Sequence, residues 1–220
     1  IAFYPFSGSA NNQIGDYNHG LVSNAVLTTD RFGNPNSAYF FNGSNAEIIA
    51  GGNPQLENSS NHSISVWMRD SLGKLNSGIA QYCDDNGENG FGLQYASGGG
   101  KIGMWAYQGF STGGWDAAYS DSIIRGDNKW HHMVGVRRND TTFLYVDGSL
   151  QQSFTTHAIS YNNSKIRFGN TNYWQNNQYF GGVLDDARFY NYSLSKAEID
   201  ALYREGGWGT GNSSITLQKP

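Results

Sequence analysis

One cysteine, Cys83, in 220 residues excludes an intrachain disulfide and any cluster of metal-binding thiolates. Charge is scarce as well. Only 15% of residues are charged and the formal net charge is -4, with no basic stripe to follow a phosphate backbone. Nucleic acid is therefore excluded as a partner class. No apolar run approaches the roughly 20 residues of a membrane-spanning helix, so membrane insertion is not expected. No signal peptide is visible. The chain opens at Ile1 in a strand-like stretch without a Met, as expected for a mature or excised piece of a longer protein.

Catalytic patterns fail in their context. Gly109-Phe110-Ser111-Thr112-Gly113 spells a nucleophile elbow, but neither a helix nor α/β alternation accompanies it. Gly98 to Gly103 matches a dinucleotide fingerprint, yet a strand follows where a helix is required. Asp84, Asn86 and Glu88 alternate like the start of a calcium loop, but its twelfth position is Tyr95 instead of a bidentate Glu. That stretch is read as a solvated hairpin loop, with a hard cation held by its clustered oxygens as the alternative. His131 and His132 face opposite ways on a strand and cannot share a metal. No strand carries the two carboxylates of glycoside hydrolysis, so no catalytic residue is assigned.

What the chain does have is aromatic side chains, 15% of residues, with 29 glycines and much Asn and Ser. This composition suits short strands, tight turns and rings left over for a surface. Seven Asn-x-Ser/Thr sequons are no more than such a composition yields by chance, and glycosylation is not inferred. Strand patterns recur at IAFYPF, AYFFNG, AEIIA, SISVWMR, SGIAQYC, GFGLQYA, KIGMWAYQ, WHHMVGVRR, TTFLYVDGSLQQSFT and KIRFGN, with turn signals between them. Asp147-Gly148 predicts a two-residue hairpin. One helix is predicted, capped by Ser195 with Glu198 and ended by Gly206-Gly207. The pattern predicts an all-β fold, a two-sheet antiparallel β-sandwich (jelly roll) with one short C-terminal helix.

The stretch GGVLDDARFYNYSLSKAEIDALY, residues 181 to 203, holds a difficulty. Strand alternation puts Asp185 with Val183, Ala187 and Phe189, and Asp186 with Arg188 on the other face. A carboxylate on the apolar face costs several kcal/mol unless something pairs with it. Either a cation or hydrogen bonds from backbone amides or Trp indoles must satisfy Asp185.

This stretch resembles the closing signature of laminin-G-like jelly-roll domains in the concanavalin A-like lectin/glucanase superfamily. NKWHHMVGVRR followed by FLYVDGSL resembles the middle signature. YPFSGSANNQIGDYNHG, LTTDRFGNPNSAYFFNGSN and ISVWMR resemble the opening blocks. The matches keep family order over residues 3 to 205. They imply one domain, 1–205, with 206–220 as a tail or linker. The resemblance also implies a structural calcium held by Asp185, by the first loop with Asn12, Asp16 and Asn18, and by the Gly43 turn, Asn12 standing where Asp is usual. Calcium's preference for six to eight oxygens suits such a set. Hydrolase branches of the superfamily carry Glu-x-Asp-x-x-Glu on a strand. The nearest string here begins at Glu198 on the predicted helix and has Tyr203 in its sixth position. The Gln-x-His and Arg-rich strands of the lyase branch are missing too.

Sugar recognition needs ring faces to stack on pyranoses and amides or carboxylates to bond hydroxyls. Two loops supply both. One holds Tyr107, Phe110, Trp115, Asp116 and Tyr119; the other holds Tyr173, Trp174, Asn176 and Tyr179. Trp67 and Arg69, opposite the apolar stripe of their strand, are candidates for a concave face, whereas Trp130 is expected in the core. The expected function is a non-catalytic glycan-binding module of a larger secreted or surface protein. A calcium-dependent adhesion domain and an unrecognised hydrolase or lyase are the alternatives.

Overall fold

Strands form where side chains alternate, and the computed structural model shows where each one pairs. It describes residues 1–57, 60–87, 89–96, 100–107, 117–121, 124–155, 159, 161, 163–171 and 178–209. In chain order come β1 (Ala2–Tyr4), β2 (Leu21–Ser23), β3 (Val26–Thr28), β4 (Ala38–Asn42), β5 (Glu47–Ala50) and a helical turn, α1 (Pro54–Glu57). Next are β6 (His62–Asp70), β7 (Gly78–Cys83), β8 (Gly90–Tyr95), β9 (Ile102–Tyr107) and β10 (Ala117–Tyr119). Then follow β11 (Trp130–Arg138), β12 (Thr141–Val146), β13 (Ser149–Thr155) and β14 (Lys165–Phe168). The chain continues through β15 (Asn170–Thr171), β16 (Gln178–Tyr179), β17 (Gly181–Tyr190) and the helix α2 (Lys196–Tyr203).

The first sheet has the order β13-β12-β11-β6-β17-β4-β3, with β1 also on β17. The second runs β10-β9-β8-β7-β14-β5-β2, with the β15–β16 hairpin beside β7. Pairing is antiparallel except for the single bridge between Tyr179 and Gly78. The result is the expected two-sheet jelly roll.

β6 shows how alternation builds it. Ile64, Val66 and Met68 enter the core between the sheets, while Ser63, Ser65 and Trp67 face outward. The core is aromatic at one end, where Phe168 meets Tyr4 at 5.1 Å, Phe6 at 5.3 Å and Phe189 at 6.0 Å between ring centres. Elsewhere the sheets come so close that a side chain would have to displace its neighbour. A Cβ on Gly135 of β11 would lie 2.2 Å from Met104 Sδ, which reaches across from β9.

The predicted hairpin turn and N-cap form as read, whereas the helix ends at Tyr203, ahead of Gly206-Gly207. Asp147 and Gly148 both take positive φ, 50° and 76°, as a tight two-residue hairpin turn demands. Ser195 Oγ accepts from Glu198 N, and Glu198 Oε2 accepts from Ser195 N at 2.7 Å. The helix so started lays Ile199 and Leu202 on Val134, Val136 and Tyr190 of the first sheet's outer face. Short β2, β3, β10, β15 and β16 and the turn α1 lie outside the predicted set. Trp130 is half-buried instead of in the core, with Arg69 5.4 Å from its ring centre.

Candidate functional site

The difficulty at Asp185 resolves through a bulge. Pairing between β17 and β6 slips between Asp185 and Arg188, and Asp186 takes φ 46°. One extra residue re-phases the strand. Leu184, Ala187 and Phe189 therefore face the core together, and the expected grouping of Asp185 with the apolar residues does not hold. Both carboxylates instead reach the same guanidinium. Arg31 Nη1 donates to Asp185 Oδ2 at 2.8 Å and to Asp186 Oδ2 at 2.7 Å. Asp185 Oδ1 accepts the Asp186 amide at 2.9 Å.

Arg31 is positioned by its own turn, where Asp30 Oδ1 accepts the amides of Phe32 and Asn34. Its guanidinium lies 4.4 Å from the ring centre of Phe32 and 4.5 Å from that of Trp67. Trp67 in turn stacks on His132 at 5.0 Å and on Tyr203 of α2 at 5.8 Å, and meets Trp208 edge-on at 5.1 Å. Burial, with the charges of Arg31 and Arg188 behind it, pushes the His132 pKa down to about 3. Arg188 closes the rim with Glu205, at 2.7 Å. Trp67 is 1% exposed, so it lines no open face. The stack also includes Trp208, which the expected boundary at residue 205 had assigned to a tail.

The expected calcium ligands do not fit an ion. Gly43 N donates to Phe180 O, at one end of β17. Asn12 Oδ1 accepts the Phe3 amide, and Phe3 is the register partner of Arg188. Eight residues of strand at about 3.3 Å each put these positions roughly 25 Å apart, with Asp185 between them. Ligands of one calcium lie within about 5 Å of each other. Asn12 is moreover consumed locally, its Oδ1 accepting Ile14 N and its Nδ2 donating to Ile14 O and Tyr17 O. Asp16 points to solvent beside His19. The cation at Asp185 is Arg31.

With the first sheet capped by α2, the outer face of the second sheet is the candidate site. One row of register partners crosses it: Ile49, Arg167, Gln81, Gly92, Trp105 and Ala117. Glycine at 92 leaves room that the Gln81 side chain occupies, since a Cβ there would lie 2.6 Å from Gln81 Cγ. Gln81 Nε2 donates to Gln94 Oε1 at 3.4 Å. Lys165 and Arg167 both bind Asp85. Trp105 is buried and its Nε1 has no hydrogen-bond partner among the described residues.

The two aromatic loops leave this sheet at opposite ends. Tyr107 pairs with Gly90, whereas Tyr179 pairs with Gly78. β7 and β9 run the same way, each antiparallel to β8, so Gly78 and Tyr107 mark opposite edges. Strand rise and spacing place the two stems roughly 20 Å apart. Trp115, Asp116, Tyr173, Trp174 and Asn176 lie outside the described residues. Sequence reasoning missed Glu47 and Asn170, which meet beside Tyr179, with Asn170 Nδ2 donating to Glu47 Oε2 at 3.0 Å. A lone Glu at a strand start carries no sequence signal. Among the described residues no three His, Cys, Asp or Glu side chains converge as metal ligands. None of the described helices is long and apolar enough to cross a membrane.

A laminin G family model, described as the concanavalin A-like lectin/glucanases superfamily, matches residues 42–200. The chain belongs to this superfamily. A search of curated proteins found no match. Among solved structures, it resembles domain 4 of AbnA, a GH43 extracellular arabinanase from Geobacillus stearothermophilus, in complex with arabinotriose. The TM-score is 0.76 at 19% identity, over 92% of this chain and 97% of that one. It also resembles the botulinum neurotoxin serotype C1 binding domain, with a TM-score of 0.68 at 15% identity over 92% of this chain. The binding domain of botulinum neurotoxin DC in complex with SialylT gives 0.67 at 15% identity over 93%. The chain covers 51% and 50% of those two toxin domains. At such identities the likenesses establish the shared superfamily fold.

Proposed function

We propose that this superfamily member is a non-catalytic carbohydrate-binding module of a larger extracellular protein. The observation that carries the proposal is the outer face of the second sheet. Amide, carboxylate and aromatic side chains meet there at the stem of the loop holding Tyr173, Trp174 and Asn176. Superfamily membership and the likeness to a domain solved with arabinotriose support this choice. Tyr179 belongs to the same end; Tyr107, Trp115 and Asp116 belong to the far loop and would form a separate contact. Asp85 on this face is held by Lys165 and Arg167 instead of standing free as a general acid or base, which favours binding over hydrolysis.

Titration calorimetry with arabinotriose and other neutral oligosaccharides tests the proposal. Binding at micromolar to millimolar Kd is expected, as for a single stacking site. Trp174→Ala should abolish it without lowering Tm. Release of reducing ends or unsaturated products from any polysaccharide would overturn the non-catalytic assignment.

A further inference from the structure

Glu47 and Ser23 are register partners on β5 and β2, and both point away from the core that holds Ile48 and Ala50. Asn170 reaches Glu47 from the hairpin stem, and Tyr179 is the register partner of Asn170 across that hairpin. Asn170 is 3% exposed, yet its Oδ1 has no hydrogen-bond partner among the described residues. A buried carbonyl oxygen in that state calls for a donor. Glu47 and Tyr179 are half-buried, so the cluster can be reached from solvent. The Glu47 charge also contributes, after burial, to raising the Tyr179 pKa.

The donor–acceptor balance identifies the ligand. A carboxylate and an amide oxygen accept only, and the hydroxyls of Ser23 and Tyr179 do either. Arg167 lies two residues from Gly169 on the neighbouring strand, but its guanidinium is turned toward Asp85. The partner must bring several hydrogen-bond donors and no negative charge, and on the carbohydrate-binding reading those donors are hydroxyls. We infer that Ser23, Glu47, Asn170 and Tyr179 form a subsite for neutral sugar hydroxyls. Glu47 and Asn170 accept from them, and a uronic or sialic acid is rejected by charge. This inference rests on the carbohydrate-binding reading.

The test titrates a neutral galactose trisaccharide and its galacturonic acid counterpart into wild-type protein, Glu47→Gln and Asn170→Ala, with Tm recorded for each. Glu47→Gln keeps the shape and serves where Asn170→Ala lowers stability. The expected result is binding of the neutral sugar only, weakened about tenfold or more in Glu47→Gln, because hydrogen bonds to a charged group are the strong ones. Glycan binding unchanged in Glu47→Gln would overturn the subsite and leave the carbohydrate-binding reading standing. Preference for the galacturonic trimer would overturn it too. If neither these sugars nor any other glycan binds wild-type protein, both fall together.

Discussion

Replacing Arg31 with Met keeps most of the side-chain volume and removes the guanidinium that donates to both Asp185 and Asp186. Both carboxylates are buried, at 0% and 3% exposure, so water cannot substitute. Breaking a buried pair by removing one partner costs about 3–5 kcal/mol. Losing the contacts with Phe32 and Trp67 adds roughly 1–2 kcal/mol at a desolvated site. The two terms overlap, and about 4–5 kcal/mol is a fair total. For a chain of this size each kcal/mol moves Tm by about 2–4 °C, so Tm should fall by about 10–15 °C. Calorimetric melting and urea denaturation read this directly. Adding Asp185→Asn and Asp186→Asn to the variant removes the stranded charge and should restore at least half of the loss. Calcium or a chelator should leave wild-type Tm where it is. A loss under about 1 kcal/mol, typical of a surface ion pair, would refute the reasoning. So would a calcium-dependent rise in Tm that Asp185→Asn abolishes.

Stability should pass through a maximum near pH 6.5. His131 has Asp147 on one ring nitrogen at 2.7 Å and Asp127 on the other at 2.9 Å, an arrangement that favours the protonated ring, in which both nitrogens donate. The Asp147 hydrogen bond chiefly raises its pKa, and the gain, complete below about 6.5, is lost as pH climbs through the raised value. His132 works the other way: the unfolded chain takes a proton near 6.5 that the folded chain refuses, so stability falls below that pH. The limiting slope is about 1.4 kcal/mol per pH unit, and His132→Phe should flatten this acid limb in urea midpoints. A maximum displaced above pH 8 would contradict the assignment. Gly135→Ala should cost about 1–3 kcal/mol by overpacking against Met104, with part recovered in Gly135→Ala/Met104→Ala. Burial pushes the Cys83 thiol up to about 12, so a thiol reagent should label it only on unfolding; prompt labelling of native protein would contradict its burial.

Much of this fold is legible from local rules. The alternation of Ile64, Val66 and Met68, the Asp147-Gly148 turn and the Ser195–Glu198 cap each depend on neighbours within a few residues. The bulge at Asp185 does not. A rule of period two cannot register an extra residue, and the residue that neutralises the bulge lies 154 positions earlier in sequence. Trp67 shows the same limit. Its alternation correctly puts it outside the core, but the covering rings come from Tyr203 and Trp208. Strands of three residues such as β2 and β3 are missed because their burial is slight and their pairing supplies the conformation. The candidate subsite escaped for a similar reason, since Ser23, Glu47 and Asn170 are brought together only by sheet register.

Binding of wild-type protein to an array of neutral and acidic glycans, read beside product assays on the same glycans, tests the central claim most directly. The account predicts retention of at least one neutral glycan, lost with Trp174→Ala, and no product formed. An array without any bound glycan, or with a cleaved one, would contradict it.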